Sequence, residues 1–346
     1  MTLRLIRYLF GILPISFALI SCEKKPPGGT NANASQIPAG NNLLYARSLV
    51  DRFGIYTSSD TGTTETPLIE SQTVLFRHPN WGKGDRIYFL SGYYGETRTQ
   101  VYSIDFNGTN IQRLSKDTLA EYAALDFSPV NERFLYGKNK AGISQLCSNN
   151  LSMNDEKVLL SGHAVGSWNP NGLNIVYSYS EPNSSGENVM NIYLMNADGT
   201  GKTKITGNTL RDPPATYLNP YISRNGKSIV YTSNRERQVT NTSLRSTLMD
   251  VYTCNIDGSN EQRITNSAPQ SDFWYNANWA KDNKTVLVVH YSLRMPYTLH
   301  LRNTDDNSGK QVSFYTIRFT RTSGSREFRV GRSRFHSSKS FQVRSH

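Results

Sequence analysis

Ile192-Tyr-Leu-Met-Asn-Ala-Asp-Gly199 recurs as Val251-Tyr-Thr-Cys-Asn-Ile-Asp-Gly258 and as Val101-Tyr-Ser-Ile-Asp-Phe-Asn-Gly108. In each copy apolar residues alternate, a polar pair ending in glycine follows, and a second short segment closes on Lys204-Ile205-Thr206, Arg263-Ile264-Thr265 or Arg113-Leu114-Ser115. Alternation at period two around Asn-Gly or Asp-Gly predicts a β-hairpin. A second hairpin recurs between these. It reads Pro79-Asn-Trp81 to Ile87-Tyr-Phe89, Phe127-Ser-Pro129 to Phe134-Leu-Tyr136, and Trp168-Asn-Pro-Asn-Gly172 to Ile175-Val-Tyr177. It returns as Pro220-Tyr221-Ile-Ser-Arg-Asn-Gly226 to Ile229-Val-Tyr231, and as Trp279-Ala-Lys-Asp-Asn283 to Val286-Leu-Val288. The aromatic anchors 81, 127, 168, 221 and 279 are 46, 41, 53 and 58 residues apart. Four strands in roughly 40–45 residues make one blade of a β-propeller, and the longer steps leave room for loop insertions.

The repeat resembles that of TolB-type (WD-type) propellers: apolar-Tyr-x-apolar-Asn-x-Asp-Gly, then Leu-Thr, then Pro-x-Trp-Ser-Pro-Asp-Gly-Lys-x-Ile-x-Phe. The resemblance runs from about Ile55 to Ser313 and implies an all-β, six-bladed propeller of four-stranded antiparallel blades. Its motif residues are architectural. Gly108, Gly172, Gly199, Gly226 and Gly258 suit positive φ in tight turns, the neighbouring acids are turn formers, and Trp81, Trp168 and Trp279 fill the space between sheets.

The chain has 346 residues, of which 37% are hydrophobic and 19% charged, with a formal charge of +11. That charge is uneven. The segment from Phe314 to His346 carries eight cations against Glu327, and residues 1–21 add Arg4 and Arg7, so +2 is left for everything between. A nucleic-acid footprint needs clustered Lys and Arg on the folded surface, and the near-neutral middle excludes nucleic acid as the expected partner. Arg4 and Arg7 precede an apolar stretch from Tyr8 to Ile20, the layout of a secretory signal peptide, and it ends in Leu19-Ile20-Ser21-Cys22. This resembles the bacterial lipobox and implies lipidation of Cys22, with several acyl chains giving stable anchorage. The expected organisation is a lipoprotein signal peptide over 1–21, a flexible tether over 22–42, the propeller over 43–313 and an atypical basic tail over 314–346. The expected location is the bacterial cell envelope, anchored in the outer membrane on its periplasmic or surface face.

Cys147 and Cys254 lack metal-site or disulfide-framework spacing and read as buried hydrophobes. His78, His163, His290, His300, His336 and His346 are scattered singly, so neither metal nor other cofactor is expected, and no catalytic motif is present. With strands labelled A to D from the axis outward, the tight A–B and C–D turns share one end of the propeller. The longer B–C and D–A connections share the other, and loops on a rigid scaffold are where recognition is usually built. Candidate binding residues there are Tyr93, Tyr94, His163, Arg211, Asp212, Tyr217, Arg235, Asp272, Phe273, Trp274 and Tyr275. Aromatics beside Arg and Asp suit a protein surface or a glycan, although Phe273-Trp274-Tyr275 fits packing over a blade edge equally well.

Two functional classes follow. One is a non-catalytic module that binds an envelope protein or polysaccharide. The other is a polysaccharide-active enzyme, because similar propellers form oligogalacturonate lyases. That chemistry would need several convergent axial His, Arg or acidic residues. Finally, Ile55 to Ile69 reads as a C–D hairpin without its A–B half, so a closing A–B hairpin is expected from Phe314 to His346. The repeat motif stops abruptly there in favour of Arg, Ser and Phe, which points to a frameshifted or otherwise atypical end and incomplete closure.

Overall fold

A computed structural model describes residues 41–48, 52–59, 65–96, 98–183, 186–206, 215–236, 249–266, 272–280, 282–292 and 295–312. These residues form six antiparallel sheets and no helix. The first sheet is β1 (Asn41–Ser48), β2 (Phe53–Ser59) and β3 (Glu65–Ser71). Five four-stranded sheets follow, each contiguous in sequence. The second is β4 (Val74–Trp81), β5 (Arg86–Tyr93), β6 (Gln100–Asp105) and β7 (Gln112–Arg113), and the third is β8 (Glu121–Ser128), β9 (Arg133–Lys140), β10 (Ile143–Asn150) and β11 (Lys157–Ser161). The fourth is β12 (Ala164–Trp168), β13 (Asn174–Pro182), β14 (Asn188–Asn196) and β15 (Thr203–Lys204). The fifth is β16 (Tyr217–Ile222), β17 (Ser228–Ser233), β18 (Asp250–Asn255) and β19 (Gln262–Arg263), and the sixth is β20 (Asp272–Trp279), β21 (Thr285–Ser292), β22 (Met295–Asn303) and β23 (Gly309–Val312). The inner strands β4, β8, β12, β16 and β20 pack successively on one another, which is a six-bladed propeller.

The repeated hairpins become strands because their apolar residues alternate between two interblade cores. Trp81 is 2% exposed and packs with Leu44, Ala46, Ile55 and Phe106, bridging the first and second sheets. Phe127, Trp168 and Trp279 hold the same register position in their own sheets. In the fifth sheet that position belongs to Ile222, which pairs with Ile229, and Tyr221 stands one residue earlier on the opposite face. The Asx turns are as the sequence predicts: Asp257 Oδ1 accepts from the Ser259 N–H at 2.9 Å, and Gly258 takes φ +86° with the carbonyl of Ile205 2.8 Å from where a Cβ would lie. Cys147 and Cys254 are buried free thiols, each pushed up to about 12 by burial.

The first sheet corrects one expectation. The hairpin of β2 and β3 has a further strand, β1, on its inner side, where the sequence suggested only a tether and the beginning of the domain. In the complete sheets the first three strands pack on the next inner strand and the fourth does not; here β1 and β2 pack on β4 and β3 does not. The three strands therefore take the second, third and fourth places of their blade, and the first place is not filled from the described residues. The expected closing hairpin, the signal peptide with Cys22, and the basic tail also lie outside them.

Candidate functional site

The inner strands build the axial lining. Four of them carry a β-bulge, with His78, Ala124, Asn219 and Asn276 at φ of 49–52° at the register shift. A bulge re-aims the residues after it, and the residue preceding each core anchor lies on the opposite face of its strand, toward the next sheet. These residues are Asn80, Asp126, Ser167, Tyr221 and Asn278. They tie consecutive blades together. Asn80 Nδ2 donates to the Leu125 carbonyl at 3.0 Å, the Trp168 N–H donates to Asp126 Oδ2 at 2.7 Å, and Trp279 Nε1 donates to the Tyr221 carbonyl at 3.1 Å.

Asp126 is the one acid among these five residues. Burial pushes its carboxyl up to about 6, partly offset by the Trp168 and Phe127 N–H groups and the Ser167 hydroxyl. The Tyr221 phenol is raised well above its ordinary value by burial and then by the Asp126 charge. Nearer the loop end, the Arg77 guanidinium on β4 and the Glu121 carboxyl on β8 are both desolvated and act on one another. His78, buried beside Arg77, is lowered to about 3.

At the loop end, Tyr93 closes β5 and Tyr94 follows it, and they are 61% and 55% exposed; the Tyr94 ring stacks on Phe53 with centroids 5.1 Å apart. Leu119, on the connection into β8, and Ile143, at the start of β10, are also exposed, and Lys140 and Asp117 from the same segments form an ion pair at 2.8 Å. His163 is exposed on the connection into β12. Arg235 is committed within its own sheet: it pairs with Glu261 and lies over the Tyr252 ring, beside a Glu236–Arg263–Asp250 ion-pair chain. Tyr217 and Trp274 are core residues at 2% and 5% exposure. Trp274 stacks on His290 at 4.1 Å and meets His300 edge-on, with the Arg302 guanidinium 4.8 Å from its ring. Asp272, Phe273 and Tyr275 lie on β20. Arg211 and Asp212 lie outside the described residues.

Among solved structures, TolB from Acinetobacter baumannii matches with a TM-score of 0.58 and 15% identity, over 74% of this chain and 58% of that one. The chain has a TolB-like six-bladed β-propeller fold. It spans just over half of that TolB chain. An oligogalacturonate lyase from Vibrio parahaemolyticus matches at 0.53 and 12% identity, over 82% and 77% of the two chains. A chain of a nidogen/laminin complex matches at 0.54 and 6% identity, over 78% and 88%. No protein-family model and no curated protein matches. At such identities the likeness speaks to fold alone.

Sequence reasoning missed the inner-strand residues that tie the blades of this TolB-like propeller together. Asp126 precedes an anchor phenylalanine, at a motif position open to any residue, and follows the bulge in β8 to meet the Trp168 N–H of the next sheet. The recoverable signal is an acid at that position where the other blades have Asn, Ser and Tyr.

Proposed function

We propose that the protein is a lipid-anchored propeller of the bacterial cell envelope that binds a protein or polysaccharide without catalysing a reaction on it. The observation that carries this reading is the loop-end surface of the second and third sheets, where Tyr93, Tyr94, Leu119 and Ile143 are all more than half exposed. Large exposed apolar side chains rimmed by charge suit a contact surface. The Leu19-Ile20-Ser21-Cys22 junction supports the anchor, and resemblance to TolB-type repeats implies an envelope location. The alternative, a polysaccharide-active enzyme, has a structural neighbour in an oligogalacturonate lyase in complex with manganese. It fits this chain less well. Among the described residues no three His, Cys, Asp or Glu side chains group to hold a metal.

The test compares wild type with a Tyr93→Ser/Tyr94→Ser variant in detergent-solubilised envelopes and on immobilised envelope polysaccharide. Wild type is expected to retain a partner that the variant loses, and equal retention refutes this surface. A Cys22→Ala variant should move from the membrane to the soluble fraction; if it stays in the membrane, the lipid anchor is refuted.

A further inference from the structure

We propose that the inner edge of β1 docks a single strand from the segment after β23, residues 314–320, antiparallel to β1 and with Phe319 opposite Leu43. This closure is independent of the loop-end surface and of the lipid anchor.

β1 pairs with β2 on one side, and its other edge has no partner among the described residues. An open edge is a row of backbone donors and acceptors that a further strand can satisfy. Sequence and packing agree that β1 stands in the second place. Asn42-Leu43-Leu44-Tyr45 repeats the start of other second strands, Asn174-Ile175-Val176-Tyr177 and Ser228-Ile229-Val230-Tyr231. Leu44 packs toward the second sheet, as Val176 packs toward the fifth and Val230 toward the sixth. In every complete sheet the residue at the Leu43 position pairs with the anchor of the innermost strand: Ile87 with Trp81, Phe134 with Phe127, Ile175 with Trp168, Ile229 with Ile222 and Val286 with Trp279. Leu43 is only 1% exposed, although the first sheet has no such anchor among the described residues.

Two segments adjoin this place. Residues 23–40, just before β1, carry Pro26, Pro27 and Pro38 and have no period-two apolar pattern, so they lack the makings of an inner strand. The segment after β23 has them. In this chain each fourth strand leads to the innermost strand of the next sheet, and the anchor comes 7–18 residues after the fourth strand ends. Counted from Val312, that window opens at Phe319, at the same seven-residue step that separates Ser161 from Trp168. Phe319 is preceded at period two by Ile317 and Tyr315, whereas Phe328 and Val330, later in the window, sit among Arg326, Glu327 and Arg329. Arg318 then falls at the position where the other sheets carry Asn80, Asp126, Ser167, Tyr221 and Asn278. A buried face fixes register, because a slip of one residue exchanges the two faces. One strand therefore does what the sequence assigned to a hairpin, since β1 already fills the second place.

Hydrogen exchange of the full-length protein, followed by mass spectrometry, tests this docking. Amides of 315–319 and of Leu43–Arg47 should both be protected in wild type. Phe319→Asp should speed exchange in both segments at least about tenfold while leaving β13 unchanged. A Leu43→Cys/Phe319→Cys pair should form a disulfide under mild oxidation, since directly opposed residues have the required separation. Leu43→Cys/Thr316→Cys, offset by three residues, should not. Free-peptide exchange at 315–319, protection of Leu43–Arg47 shared with residues 23–40 instead, or protection present only at concentrations where the chain dimerises overturns the proposal. So does a disulfide in the offset pair but not in the opposed one. If Phe319→Asp fails to fold, the wild-type exchange pattern and the two cysteine pairs still decide the matter.

Discussion

The three-stranded first sheet and the five four-stranded sheets solve the same packing problem with different chemistry. In the complete blades both sheet faces are apolar. The second sheet, for example, sends Trp81, Ile87 and Phe89 to one side and Tyr88, Leu90 and Val101 to the other. The first sheet is apolar where Leu44, Ala46 and Ile55 meet Trp81, and its other face mixes the buried Leu43 with polar and charged groups. On its other side Arg47 and Glu65 form an ion pair at 2.7 Å with both side chains 9% exposed. Tyr45 donates to the same carboxylate at 2.6 Å, and the Arg47 guanidinium lies 4.6 Å over the Tyr56 ring. Apolar packing gains from burial whatever its neighbours do. A buried ion pair gains only while both partners are present. The first sheet is therefore held in part by contacts that fail abruptly when one member is lost.

The sharpest way to break this contrast is at the seam. Trp81 is edge-on to Phe106 at 5.2 Å and is the side chain through which the first sheet joins the second. Trp81→Ala should cost about 3–5 kcal/mol in urea unfolding, the range for a buried aromatic truncated to alanine. A loss under about 1 kcal/mol would mean that the sheets are joined by something other than the repeat's anchor.

Glu65→Ala tests the other chemistry and should cost about 3 kcal/mol, because it leaves Arg47 charged and the Tyr45 hydroxyl without its acceptor in a dry site. The paired Arg47→Met/Glu65→Leu change should be near neutral by the same reasoning. If the single change is as mild as the double, the network is not holding the first sheet and the contrast collapses.

The same contrast explains what was legible in the sequence. The hairpins of the complete blades could be read because aromatic anchors, period-two alternation and Asn-Gly or Asp-Gly turns coincide. Where two large side chains adjoin, as in Tyr221-Ile222, pattern alone put the anchor one residue early; the left-handed Asn219 sets the register that gives the core to Ile222. β1 was illegible for a related reason. Leu43-Leu44-Tyr45-Ala46-Arg47 has no inner-strand hairpin before it to mark it as a strand. At the candidate site the loops announced themselves through Tyr93 and Tyr94. Asp126 did not, since its place against the Trp168 N–H depends on a bulge, and Trp274 shows that an aromatic in a loop-end segment can belong to the core.

The smallest expected stability effect has the opposite sign. Asp126 rises from its ordinary 3.8 to about 6 because folding desolvates it. Well below the ordinary 3.8 the carboxyl is protonated in both folded and unfolded chains and makes no difference. Between 3.8 and about 6 the unfolded chain ionises it in water while the folded protein keeps the proton, so stability is lost as the pH rises across that window and the loss is complete above the folded value. A shift of about two units corresponds to roughly 3 kcal/mol, fully felt above pH 7. Asp126→Asn keeps an acceptor for the Trp168 N–H and removes the charge, so after allowing for a weaker hydrogen bond it should be more stable than wild type by about 2 kcal/mol at pH 7.5. The gap should close by pH 4.5, as read from urea midpoints at the two values. A variant less stable than wild type at pH 7.5 would show that the hydrogen bonds fully offset the desolvation. Where Trp81 and Glu65 are kept because the fold needs them, a carboxylate that the fold would be more stable without points to selection for what it contacts.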